Sequence, residues 1–154
     1  MIAECGLKGK IPVSISNCQL LRVFNISNDP TVTPNGYKYN EVEGGIDMLF
    51  DIPGLVTIKA YDNQLSGTLP GPLVDENNQA IAWKNLKEFM IDWNQFTGNI
   101  PAGYGTVIEK SGGSGIFRVY NNQLSGQIPS DLKAWSQYGK RKDAWILKGN
   151  NLTE

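Results

Sequence analysis

Residues 55–70, LVTIKAYDNQLSGTLP, recur along the chain and decide how the rest of it is read. Aligned on Asn63, they bring three other segments into register: 86–101 (LKEFMIDWNQFTGNIP, on Asn94), 114–129 (SGIFRVYNNQLSGQIP, on Asn122) and 145–153 (WILKGNNLT, on Asn150). Upstream, residues 2–12 (IAECGLKGKIP) place Cys5 in the Asn position, and 21–29 (LRVFNISND) keep the first half of the pattern with Asp29 there. A fixed internal period marks a stacked architecture and outranks local propensity. Within each unit the apolar residues alternate as in a strand. Ile58 and Ala60, Phe89 and Ile91, Phe117 and Val119, Trp145 and Leu147 are expected inward, and Lys59, Met90, Arg118 and Ile146 outward. Runs this short bury themselves only by stacking on neighbouring units.

The shared pattern is L-x-x-L-x-L-x-x-N/C-x-L-x-G-x-I/L-P, and with it the chain resembles the leucine-rich repeat family. LSGTLP, FTGNIP, LSGQIP and LKGKIP resemble the variant found in plant receptor-like proteins and some bacterial surface proteins. The resemblance implies an α/β-type, right-handed curved solenoid. One short parallel strand per repeat would line the concave face, with irregular or short helical segments on the convex face. It also implies ligand recognition by the concave face.

The chain then reads as one domain of about six units, the first and last truncated, and as a fragment of a longer protein. At the slot, Asn63, Asn94, Asn122 and Asn150 are expected to bond backbone groups in tight bends; Cys5 would donate weakly there, and an ionised Asp29 would only accept. The Gly before each Ile/Leu-Pro permits positive φ or close approach, and Pro stops strand pairing. Slot positions 5, 29, 63, 94, 122 and 150 are spaced 24, 34, 31, 28 and 28 residues. The largest excess marks residues 30–53 as an insertion lacking the L-x-G-x-I-P half of the unit. Pro30, Pro34 and Asn35-Gly36 signal turns there. Ile46, Leu49 and Phe50, halted by Pro53, read as one or two helical turns over the core. Tyr37 and Tyr39 leave a binding lid as the minor reading beside a plain surface elaboration. Further on, Asn77-Asn78 signals a turn, Ile81 and Trp83 can lie against the repeat edge, and Ser130-Asp131 is a fair helix cap ahead of inward Leu132 and Trp135. The two ends are expected to leave Ile2 and Leu7, and Trp145, Leu147 and Leu152, open to association or fraying.

A net charge of −1 suggests no nucleic-acid partner. No window reaches the roughly 20 apolar residues of a membrane span. The sequence has no histidine, the commonest general base and zinc ligand. Cys5 and Cys18 read as buried thiols rather than a disulfide framework. The Gly/Ser run near residue 112 lacks the Gly-Lys-Ser/Thr of a phosphate loop. Sequons at Asn25 and Asn151 matter only in a eukaryotic secretory protein. Asp62, Glu88 and Asp92 come near one another, but an open wet sheet gives little desolvation to raise a catalytic pKa, so the chain is read as no enzyme, with no cofactor and no metal.

Three outward columns follow from the repeat: Asn25, Lys59, Met90, Arg118, Ile146; then Ser27, Tyr61, Asp92, Tyr120, Lys148; then Asn28, Asp62, Trp93, Asn121, Gly149. Their mixture of Tyr, Trp and Arg is that of recognition surfaces. Lys59, Tyr61, Asp62, Met90, Asp92, Trp93, Arg118, Tyr120 and Asn121 are the expected ligand-binding residues. Tyr61 and Tyr120, two strands apart, should stand about 10 Å from each other with Asp92 between them. The expected role is a non-catalytic recognition module for a protein or peptide, in an extracellular or cell-surface protein. A structural spacer and a carbohydrate-binding module are the alternatives.

Overall fold

The computed structural model describes residues 5–28, 39–112 and 114–154. In chain order the strands are β1 (Lys8–Lys10), β2 (Val23–Asn25), β3 (Glu41–Gly44), β4 (Thr57–Lys59), β5 (Gln64–Gly67), β6 (Glu88–Met90), β7 (Gln95–Gly98), β8 (Ile116–Arg118), β9 (Gln123–Gln127) and β10 (Asn151–Thr153). Strands β2, β4, β6 and β8 form one parallel sheet in that order. Its register pairs Phe24 with Ile58, Ile58 with Phe89 and Phe89 with Phe117, and beside them Asn25, Lys59, Met90 and Arg118. The inward column is buried, as the alternation requires. Bonds such as Ala60 N to Met90 O, Asp62 N to Asp92 O and Asn63 N to Trp93 O carry the ladder past the strands to the slot.

A second parallel sheet, in the order β1-β3-β5-β7-β9-β10, runs along the other side of the slot where an irregular chain is expected. The slot asparagines are the hinges between the two sheets. Asn94 Oδ1 accepts from Leu65 N at 2.9 Å, while its Nδ2 donates to Ala60 O at 2.9 Å, Ile91 O at 3.0 Å and Asp92 O at 3.3 Å. Asn63, Asn122 and Asn150 repeat this arrangement with Val42, Phe96 and Leu124 as the donating amides. Beyond each hinge, Gly9, Gly44, Gly67, Gly98 and Gly126 all have φ between 77° and 90°, a conformation that favours glycine.

Gly44 in that series corrects the reading of residues 30–53. Asn40, Val42, Gly44 and Ile46 are the missing N-x-L-x-G-x-I half-unit, with Val42 and Ile46 buried and β3 between β1 and β5. Asn40 does the work assigned to Asp29: its Oδ1 accepts from Leu7 N at 2.9 Å and Cys5 N at 3.2 Å, and its Nδ2 donates to Ile26 O at 2.9 Å. An ionised Asp could not make that last bond. Because Asn40 holds the slot, the extra length falls between the first sheet and Asn40; Asp29, Tyr37 and the turn signals Pro30, Pro34 and Asn35-Gly36 lie outside the described residues. Asn28 and Asn40 close it with reciprocal bonds, Asn40 N to Asn28 Oδ1 at 2.8 Å and Asn28 Nδ2 to Asn40 O at 2.9 Å. The expected turn over the core is the 3₁₀ segment Asp47–Asp51, burying Leu49.

Further departures concern the ends and the convex side. Residues Asp143–Leu147 form a π-helical turn instead of a fifth strand; Ile146 is fully buried, and Trp145 and Leu147 are half-buried. The segment continues without a break from α3 (Tyr138–Lys142), yet Val119 N still bonds Trp145 O and Asn121 N bonds Lys148 O. Helix α1 (Tyr104–Glu109) was not apparent from the sequence. The Ser130-Asp131 pair opens α2 (Ser130–Lys133) with no side-chain cap; Asp131 Oδ2 accepts from Gly103 N and Thr106 N and so caps α1 of the preceding unit. Cys5 and Cys18 are exposed, not buried, because neither faces the core. Ile81 is exposed whereas Trp83 is buried, its Nε1 donating to Leu49 O at 2.9 Å. Leu7 and Leu152 pack partly against the core; Ile2 lies outside the described residues.

Candidate functional site

On the outer face of the first sheet, just before the slots, the third column from Asp62 onward occupies left-handed backbone. Asp62 has φ 56°, Trp93 55°, Asn121 51° and Gly149 68°. Asp, Asn and Gly tolerate this conformation; a bulky Trp does so at a cost. Trp93 nevertheless presents more than half of its surface to solvent (56%). Its ring meets that of Tyr120 edge-to-face, with centroids 6.4 Å apart.

The second column is organised by one ion pair. Arg118 grips Asp92 with two bonds, Nε to Oδ1 at 3.0 Å and Nη2 to Oδ2 at 2.7 Å. Asp92 is 1% exposed, so its carboxylate lies beneath the surface. The guanidinium stands between two rings, 5.4 Å from the centroid of Tyr61 and 5.6 Å from that of Tyr120. The space between the tyrosines is thus filled by Arg118 above Asp92. Burial disfavours the charged guanidinium, and the bonds and charge of Asp92 overcome it, leaving its pKa above the ordinary value. Burial first, and then Asp92, also pushes Tyr120 upward, so its hydroxyl stays protonated.

In the first column Lys59 Nζ lies 2.9 Å from Glu88, which also accepts from Thr57 Oγ1 at 3.2 Å. Met90 is nearly buried despite its outward position, and Asn121 is half-buried. The chemistry available is therefore an aromatic strip of Tyr61, Tyr120 and Trp93 in which Lys59 and Arg118 are compensated by Glu88 and Asp92. Among the described residues no group of His, Cys, Asp and Glu could hold a metal ion.

No protein-family model and no curated protein matches the sequence. Solved structures do match. The BIR2 ectodomain from Arabidopsis thaliana is 25% identical over 99% of this chain and 67% of its own, with a TM-score of 0.68. This is a leucine-rich repeat solenoid. The solenoid also resembles the BIR3–SERK2 complex from the same plant, at 24% identity, 100% and 68% coverage and a TM-score of 0.66. A third match is the Arabidopsis receptor kinase HAESA in complex with the peptide hormone IDA and the co-receptor SERK1: 22% identity, 97% of this chain but 25% of that one, TM-score 0.69. This leucine-rich repeat chain thus spans about two thirds of two of these neighbours and a quarter of the third. The partners named in these complexes are proteins or a peptide, and none is a carbohydrate. No helix among the described residues is long and apolar enough to cross a membrane.

Proposed function

We propose that the chain is a non-catalytic recognition module that binds a protein or peptide segment along the outer face of the first sheet, within an extracellular or cell-surface protein. The observation that carries the reading is Trp93. A large side chain stands in left-handed backbone with most of its surface in water, where the same position of other units holds Asp, Asn or Gly. Such strain costs of order 1–3 kcal/mol and persists where it serves a function. Trp83, also at positive φ, differs because it is buried among aromatic rings and its conformation contributes to the core.

The neighbouring residues fit an anchor role. Tyr120 supports the indole edge-on, Tyr61 and Arg118 extend the surface across the next strands, and Asp92 keeps Arg118 oriented. Rigid aromatic and Arg groups at the centre of a surface are the residues that dominate binding energy. The receptor ectodomains of like fold, one of them described with a peptide hormone, support a peptide or protein partner and an extracellular setting. The test is Trp93→Ala against whatever partner the whole protein recruits. Affinity should fall by roughly thirtyfold, the equivalent of about 2 kcal/mol. An unchanged affinity would exclude this face.

A further inference from the structure

Once the internal ion pairs of the outer face are matched, two charges remain at opposite ends of the aromatic strip. Lys59 is held by Glu88 and Arg118 by Asp92. The Asp62 carboxylate receives no hydrogen bond or ion pair among the described residues. At the other end Lys148 is exposed, its Nζ 6.0 Å from the Tyr120 ring centroid and in no ion pair among the described residues.

Asp62 lines a cavity of about 310 Å³ together with Asn28, Tyr39, Asn40, Asn63 and Gln64. The amides of Asn28, Asn40 and Asn63 are committed to backbone groups. Among the described lining residues, Asp62 alone carries a charge and Tyr39 alone a ring. The carboxylate is fixed in place by the repeat frame, because Asp62 stands at φ 56° next to the slot and its carbonyl accepts from Asn28 Nδ2. Desolvation, and secondarily Asp92, raises its pKa, and no cation among the described residues compensates its ionised form. A partly desolvated carboxylate beside an aromatic face is a site for a cation.

We infer that the strip has a polarity, and that its ligand is an extended peptide segment placing a lysine or arginine side chain in the Asp62–Tyr39 cavity and a carboxylate against Lys148. This rests on the recognition reading above. Asp62, Trp93, Asn121 and the Lys148-Gly149 corner belong to successive units joined by backbone bonds and about 4.8 Å apart, so the backbones that carry the two charges are separated by about 14 Å. An extended peptide rises about 3.3 Å per residue and covers that distance in about four steps, which puts its basic and acidic groups about four positions apart. Trp93 and Tyr120 would face the apolar or aromatic residues between them. The charges would fix direction and register, the roles that electrostatic complementarity serves best.

The test uses a random heptapeptide display library selected on the intact chain. Winning peptides should share a Lys or Arg and, about four positions away, an acidic side chain or free carboxyl terminus. Asp62→Asn, an isosteric change that suits left-handed backbone, should weaken a winner at least tenfold. It should have no further effect on the same peptide carrying Gln in place of its basic residue, and Lys148→Gln should act likewise toward the acidic end. Winners that need Trp93 but show neither the charge pattern nor dependence on Asp62 would overturn the polarity and leave the recognition surface standing. Winners indifferent to Trp93, or no winners at all, would overturn both.

Discussion

Asn94 must offer one acceptor to the preceding repeat and several donated bonds to carbonyls around its bend, all in a site that is 8% exposed. Asn94→Ala removes every partner at once and should lower stability by about 1–3 kcal/mol, read from the denaturant midpoint. Asn94→Asp should be worse, because it keeps the acceptor while setting a negative charge against the carbonyls. The same requirement explains what could be read from the sequence and what could not. Asn63, Asn94, Asn122 and Asn150 stand at recurring distances from apolar neighbours and were legible. Asn40 was hidden because the extra chain separates it from its own strand, and Asp29 occupied the expected spacing without the donor the site needs. At Trp93 the account predicts a trade. Trp93→Asn should relieve the left-handed strain and raise stability by about 1 kcal/mol while weakening ligand binding, with thermal unfolding and affinity measured on the same protein. Asp62 titrates in the opposite sense from a paired carboxylate. Its folded pKa lies above the ordinary 3.8, so the folded state holds the proton more tightly than the unfolded one. Its contribution is therefore favourable below that value and is lost as pH rises through the raised pKa. Comparing wild type with Asp62→Asn across this window should show the fall only in wild type.

Among the elements, β3 tells most about how the repeat absorbs additional sequence. The extra residues enter between Asn28 and Asn40, which bond each other reciprocally, and the strand beyond re-enters in register with β1 and β5. Replacing residues 29–38 by a four-residue Gly/Ser link should change stability by under about 1 kcal/mol, since closure entropy varies slowly with loop length. Asn28→Ala, which removes its bonds to the Asn40 backbone and to Asp62 O, should cost more than the whole replacement. A melting series of both variants ranks them. The second sheet was illegible because its strands are short and three of them, β5, β7 and β9, carry Ser-Gly or Thr-Gly in place of the β-branched content that signals a strand. In contrast, Trp145-Ile146-Leu147 shows apolar character at every position and gives no means of choosing register. Helical continuation from α3 wins there and buries Ile146, while Arg141 lies over the Trp145 ring at 4.6 Å.

At the scale of the molecule, each unit is incomplete alone. Phe89 and Phe117 stack 5.7 Å apart across adjacent strands, Tyr104 packs against both, and its hydroxyl reaches back to Pro70 O at 2.9 Å, so one ring set joins successive repeats. Stability should be a sum of repeat and neighbour terms, and Phe89→Ala in the middle should cost about 3–5 kcal/mol. That stack holds the strands at fixed spacing and makes the outer strip of Tyr61, Arg118, Tyr120 and Trp93 a rigid surface rather than a collection of exposed side chains. The measurement that tests this account most directly is the affinity of one library-selected peptide for wild type and for Trp93→Asn, with the unfolding midpoint of each recorded in parallel. The account predicts a roughly thirtyfold loss of affinity with a midpoint equal to or above that of wild type. Equal affinities at equal stability would contradict it.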